Sequence, residues 1–359
     1  MKRVKVDNIN ELEGERMEGK TLCYVVRRYE LLKLSSSYNM SNGYLILDVP
    51  RKLACSYYFS LFNKSPPSIV CPTFWELKWS VGCPFNCDYC YLQGTLYGNK
   101  NFRLKNLSKL KGKLNELLRW AEEKNVRLLL NAGELSDSLA VPEAVEKFVK
   151  ILKDIFVEHP YHRVLMVSKA GLKHTERFLM NIEGFEDFFI VSYSINAEEV
   201  ARKFEKAPSV NERIEGAKKV KEHGLIVRFR IDPMIPINNW KKHYVKLIDE
   251  IFTLDINPQR ITIGTLRGLQ KTLKYSKNRE WIAYLTKGEK TSWGLKPEFK
   301  SRKMMYTLIL EKLKEYGYKG DVSLCKETYG MWQKLAKDNL LYDPGKPNIW
   351  ENVKCNCRW

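Results

Sequence analysis

Between residues 74 and 265 short apolar runs alternate with amphipathic segments, and this rhythm constrains the fold more than any other feature of the chain. FWELKWS (74–80), VRLLLNAG (126–133), RVLMVSK (163–169), FFIVSYSIN (188–196), LIVRFRIDP (225–233) and RITIGT (260–265) read as strands. They are rich in β-branched and aromatic residues and bounded by Gly, Pro or Asn. LSKLKGKLNELLRWAEEKN, VPEAVEKFVKILKDIFVEH, HTERFLMNI, VNERIEGAKKVKEHG and WKKHYVKLIDEIF carry apolar residues at helical spacing. Six strand–helix units in succession predict a parallel sheet with right-handed crossovers. Six is fewer than the eight that close a full barrel. The expected fold is therefore α/β, a partial (β/α)6 TIM-type barrel with N- and C-terminal extensions. A doubly wound open sheet is the alternative.

On this reading residues 1–70 form an N-terminal extension, with YLILDVP and LACSYYFS as strands and NKSPPS as a linker. Residues 71–266 form the core and residues 267–359 a C-terminal extension. There, basic LKPEFKSRKMMY leads into a helix, DVSLC and KETYGMWQKLAKDN add a strand and a helix, and PGKPNIWENVKCNCRW is loop-like.

Lys and Arg number 61 and Asp and Glu 42, so the net charge is 61 − 42 = +19. Such an excess favours an anionic partner, although a lysine-rich solvated surface explains it too. The opening MKRVKVDNINELEGERMEGK is charged throughout, which predicts no secretory signal. No apolar run reaches the ~18 residues of a membrane span. A cytoplasmic protein without a membrane partner is expected, its nine cysteines reduced and their clusters metal-binding.

Cys83, Cys87 and Cys90 stand at C-x3-C-x2-C in GCPFNCDYC. A structural zinc wants a fourth Cys or His close by, and none of the chain's five histidines is near. A [4Fe–4S] cluster on three thiolates leaves one iron open for a cofactor. Cys325, Cys355 and Cys357 are a candidate second metal site, for zinc or another iron–sulfur cluster. Lys300, Arg302, Lys303 and Tyr306 interleave base-stacking and phosphate-binding side chains, a candidate nucleic-acid contact or the solvated start of a helix.

The cysteine motif, with Tyr89 before its third Cys, resembles the radical S-adenosylmethionine (SAM) signature. That resemblance implies a cluster that cleaves SAM reductively to a 5′-deoxyadenosyl radical, which abstracts hydrogen from a substrate. It implies an electron donor such as flavodoxin or ferredoxin. It also implies SAM contacts from Tyr89, Gly133, Glu134, Ser136, Asp137, Lys169, Ser194, Asn196 and Arg228 or Arg230. Ser194 and Asn196 share one strand face, as do Arg228 and Arg230. More narrowly, GCPFNCDYCYLQGT, LSDSL (135–139), SYSINAEEVARKFE, FRIDPMIP and GTLR resemble the spore photoproduct lyase family. This implies a lyase-like DNA-repair enzyme acting on a nucleic acid or nucleotide. The family's hydrogen-donor Cys is replaced here by Glu134, and a carboxylate gives no hydrogen atom. Tyr91 and Tyr97 are the candidate catalytic donors in its place. The rival readings are a radical SAM enzyme acting on a peptide or metabolite and a zinc- and nucleic-acid-binding protein without enzymatic activity.

Overall fold

The computed structural model describes the backbone of Val26–Arg27 and Tyr44–Leu45, and residues 49–62, 65–66, 68–343 and 353–359. Most of the expected N-terminal extension, YLILDVP beyond those two residues, and part of the tail lie outside the described residues.

One eight-stranded sheet organises the fold. Its strands are β1 (Phe59–Phe62), β2 (Phe74–Leu77), β3 (Leu129–Asn131), β4 (Arg163–Ser168), β5 (Phe189–Ile195), β6 (Ile226–Met234), β7 (Arg260–Thr265) and β8 (Asp321–Leu324). They lie side by side in chain order. β2 to β8 are mutually parallel, and β1 is antiparallel to β2. The six expected strands are all present. DVSLC adds a seventh parallel one, and the expected LACSYYFS strand divides into a helical turn at Arg51–Ala54 and β1.

The crossovers are α1 (Leu107–Glu123), α2 (Pro142–Glu158), α3 (Leu172–Ile182), α4 (Glu198–Phe204), α5 (Val210–Glu222) and α6 (Trp240–Thr253), followed by α7 (Phe299–Glu315) and α8 (Tyr329–Lys337). Local chemistry starts several of them. The Asn106 side chain accepts from Lys109 N, Pro142 opens α2, and Ser209 with Glu212 forms a capping box. Among the described residues no helix is long and apolar enough to cross a membrane.

Alternation along the strands sorts residues into two layers. Leu130, Val164, Met166, Val191, Tyr193, Phe229, Ile231, Ile261 and Ile263 join the main core with the helices. Leu129, Leu165, Val167 and Ile190 form a separate small cluster on the other face. That other face is concave. Asn356 alone bonds Ser192 of β5, Phe229 O of β6 and Thr262 of β7, while Cys357 reaches Asn131 of β3 and Arg230 of β6. The sheet therefore curls into a partial barrel, and residues 353–359, expected to be loop-like, fill its lumen. The two sides are tied by a short antiparallel ladder, Ile69–Val70 with Glu327–Thr328.

His162, just before β4, is fully buried, and its Nδ1 accepts from Leu128 N at 3.0 Å. Burial, helped by the charges of His159, Arg127 and Arg163, pushes its pKa down to about 4. Below pH ~6.5 the unfolded chain takes up a proton that the folded chain refuses. Stability is therefore full above that pH and falls as pH drops toward about 4, by on the order of 3 kcal/mol from this group. Urea titrations of the wild type and His162→Gln should show a flatter pH profile for the variant. Parallel profiles would remove His162 as the cause.

Candidate functional site

The cysteine loop follows β2 and Ser80–Val81, which pairs with Arg103–Leu104. Gly82 has φ +87° and sits where a Cβ would be 2.1 Å from Asn101 O, so only glycine fits. Cys83 N donates to Lys100 O at 2.9 Å, Asp88 N to Phe204 O at 2.8 Å, and Gln93 Nε2 to Cys87 O at 3.1 Å. The loop is thus fastened on three sides. Burial, then Glu205, pushes the Cys87 thiol up to about 12. Burial, then Asp137, raises Cys83 as well. Metal binding has to displace these protons.

Among the described residues no three His, Cys, Asp or Glu side chains close on a single metal ion. In an iron–sulfur cluster the thiolates bind different irons, so such convergence is not required of Cys83, Cys87 and Cys90. Lys100 tests the fit. It is 9% exposed and its Nζ has no hydrogen-bond partner, yet its charge acts on the Cys87 thiol and the Asp88 carboxyl. A buried ammonium lacking a counter-ion is costly. An anionic cluster on the three thiolates removes that cost, so the residues present fit the group.

Beside Cys87 lies a buried ionic network. Glu205 meets Lys169 at 2.8 Å and Arg213 at 2.6 Å, and it accepts the Tyr89 hydroxyl. Its contact with Arg213 is a close ion pair, off the line of an aligned hydrogen bond. Burial alone would raise the Glu205 pKa, but Lys169 and Arg213 outweigh it and hold the group at about 2. Lys169 and Tyr89, expected to contact SAM, are thus oriented by Glu205 and Arg213, which the sequence reading did not single out, although Glu205 closes the motif SYSINAEEVARKFE.

At the ends of β3 and β4, Gly133 is required by packing, since a Cβ there would stand 2.5 Å from Val167 Cβ. Glu134 accepts from Asn131 Nδ2 at 3.0 Å, and its carbonyl accepts the Tyr91 hydroxyl. Asp137 accepts from Ser168 Oγ (2.7 Å), Lys169 N (2.6 Å) and Leu139 N (3.0 Å). Ser136 Oγ bonds the Asp137 carbonyl at 3.3 Å. These two residues fasten loops together.

The other expected contacts divide. Ser194 is buried, and its hydroxyl makes no hydrogen bond among the described residues. Asn196 is spent on structure, donating to Pro233 O and accepting from Tyr244 and Ala197 N. Arg228 lies at the lumen floor, giving Nη1 to Asn356 O and Arg358 O at 2.7 Å each. It is therefore not the carboxylate partner that the resemblance allowed. Arg230 lies higher, with Nη2 3.2 Å from Cys357 Sγ and a buried Nε lacking a partner. Asp232 of FRIDPMIP accepts Arg267 of GTLR at 2.8 and 2.6 Å, joining two motifs far apart in sequence.

Cys325, Cys355 and Cys357 lie near one another and near Cys71, close enough for their charges to interact, and Cys357 also meets Asn131 and Arg230. Two of the remaining expectations need correction, those for Tyr97 and for the basic segment. Tyr97 is 61% exposed and joins Lys271 and Tyr275 at the surface, away from the Glu134 group. Arg302 and Tyr306 are fully buried on α7, tied to Glu289 and Glu327, and Lys303 pairs with Asp338. Of that candidate nucleic-acid contact only Lys300 is exposed, because the basic run supplies the inner face of an amphipathic helix.

A family model described as spore photoproduct lyase matches residues 56–265. Spore photoproduct lyase of Clostridium acetobutylicum is 26% identical over 179 residues, covering 48% of this chain and 50% of its own. That of Bacillus subtilis is 24% identical over 192 residues, covering 53% of each. The chain thus spans about half the length of the curated relatives it matches. Among solved structures, a spore photoproduct lyase complexed with dinucleoside spore photoproduct superposes with a TM-score of 0.59 at 20% identity, over 74% of this chain and 79% of that one.

Proposed function

The chain belongs to the spore photoproduct lyase family, and on that premise we propose that it is a radical SAM enzyme acting on a nucleic acid or nucleotide. The observation that carries the reading is the fastened three-cysteine loop with the unpaired ammonium of Lys100 beside it. Cys83, Cys87 and Cys90 would hold the [4Fe–4S] cluster. Tyr89, Lys169, Glu134, Ser194 and Arg230 are the side chains left to hold SAM. When bound, cluster and SAM supply a 5′-deoxyadenosyl radical that takes a hydrogen atom from the substrate. The substrate class follows the solved relative, whose ligand is a dinucleoside photoproduct, and the charge of +19 agrees with it.

A substrate radical must then be given a hydrogen atom. Glu134 offers none. Cys357 lies 3.6 Å from Asn131 Nδ2, the same amide that holds Glu134, and this shared contact supports the Cys357 thiol as the donor in place of the family's Cys. Its S–H bond breaks as the substrate C–H bond forms, and the sulfur keeps the unpaired electron. Tyr91, bonded to Glu134, restores the thiol with its phenolic hydrogen. One electron from a flavodoxin or ferredoxin and one proton then return Tyr91 to its phenol.

The test is anaerobic. Protein reconstituted with iron and sulfide should turn brown, bind about four irons per chain and form 5′-deoxyadenosine from SAM and dithionite. Dinucleoside spore photoproduct is the first substrate to supply. A colourless protein with about one zinc per chain and no 5′-deoxyadenosine would overturn the reading.

A further inference from the structure

We infer that Lys100 sets the reduction potential of the cluster held by the cysteine loop, keeping it higher than three thiolates in the same pocket would. The inference rests on the radical SAM reading above and adds a residue that neither ligates iron nor lies in any motif of the resemblance.

Among the described residues three lysines are buried: Lys100, Lys105 and Lys296. Lys105 Nζ donates to the Tyr57 carbonyl, and Lys296 Nζ pairs with Glu327 at 3.3 Å. Lys100 Nζ has no such oxygen. Its backbone is fixed, because its carbonyl accepts from Cys83 N and the neighbouring Asn101 carbonyl packs on Gly82. The Lys100 backbone is therefore fixed by the same contact that shapes the cysteine loop, and the residue is 9% exposed.

The Lys100 charge acts on the Asp88 carboxyl and on the Cys87 thiol, which Glu205 and Lys169 also reach. Asp88 is shared with Asn278 at 2.7 Å and with Lys206. Glu205 is fully engaged by Lys169 and Arg213. Neither carboxylate comes within hydrogen-bonding distance of Lys100 Nζ. What remains on its side of the loop is Cys87, which is 3% exposed. An iron–sulfur cluster on three thiolates carries net negative charge, and one-electron reduction adds one more. A fixed cation in a low-dielectric pocket stabilises the reduced cluster more than the oxidised one, which raises the potential. The electron comes from the external donor and stays on the cluster, and Lys100 keeps its proton throughout.

The experiment compares reconstituted wild type, Lys100→Met and Lys100→Arg. Iron per chain is counted, and the midpoint potential is read by redox titration of the cluster's visible absorbance and of the signal of its reduced form. Lys100→Met should shift the midpoint to more negative potential at full iron content, and Lys100→Arg should stay near the wild type. A Lys100→Met protein with a full cluster and an unchanged midpoint would overturn the inference. Thermal melts of the iron-free proteins give an independent reading. Lys100→Met should melt higher than wild type without iron, because an unpaired buried charge is gone, and should gain less from reconstitution. Equal destabilisation with and without iron would also overturn the inference, by showing that Lys100 serves the fold alone. If wild type itself takes up no iron–sulfur cluster, the radical SAM reading fails instead, and the two failures are distinguishable.

Discussion

Cys357→Ala is expected to cut formation of repaired product on the order of a hundredfold, the scale of removing a positioned hydrogen-transferring group, while 5′-deoxyadenosine still forms. The two readouts separate because the cluster loop and the tail are built independently. The tail does not depend on the thiol for its place. Asn356 accepts from Thr262 Oγ1 at 2.8 Å and donates to Ser192 Oγ and Phe229 O at 2.8 Å each, while Arg228 and Arg260 hold the carbonyls on either side. The variant should therefore keep the wild-type melting temperature to within a few degrees. In D2O the wild-type product should carry one solvent-derived deuterium, since a thiol exchanges its hydrogen with solvent. The Cys357→Ala product should lack it, and uncoupled adducts should accumulate. Adding Glu134→Cys to Cys357→Ala should restore both turnover and label, because residue 134 shares the Asn131 amide with Cys357. Undiminished turnover and label in the single variant would exclude the tail as donor.

The parts of this molecule legible in the sequence are those written locally. β3 to β7 are short apolar runs with stop signals, and the cysteine loop is a single motif. The tail was not legible. CNCRW has no periodicity, and its role as a lumen plug depends on Ser192, Phe229 and Thr262, each in a different strand. Arg228 and Arg230 share a face, as strand alternation requires, but alternation does not tell height along the lumen. Height puts one at the floor and the other beside Cys357. Arg302 and Tyr306 looked like a basic and aromatic surface because Glu327, which neutralises the buried arginine, lies 25 residues further on and returns only through the ladder with Val70. Glu205 and Arg213 likewise become partners only when α4 and α5 pack against β5.

That last pair carries the second large effect. Glu205→Ala is expected to destabilise the protein by about 3–5 kcal/mol, the usual cost of breaking a buried ion pair from one side. Arg213 is 1% exposed, and its Nε and Nη1 already serve Pro208 O and Ser194 O, so it cannot swing out to water. Lys169 would be left facing it beside Cys87 with no carboxylate between them. Glu205→Gln should cost less, because an amide still accepts from Tyr89 and Lys169. Acid should reveal the same interaction in the wild type. The Glu205 pKa is held at about 2, below the ordinary value of 4.5, so its contribution is complete above pH ~4.5 and is lost as pH falls toward ~2. Urea unfolding at pH 7 and pH 3 should therefore show the gap between wild type and Glu205→Gln narrowing in acid. A constant gap would mean that the carboxylate's charge is not what holds the network. Spectra of reconstituted Glu205→Gln would then say whether Lys169 needs that charge to stay beside the cluster. A cluster signal that no longer changes on adding SAM, at full iron content, would place the network's function in seating SAM, in addition to its role in stability.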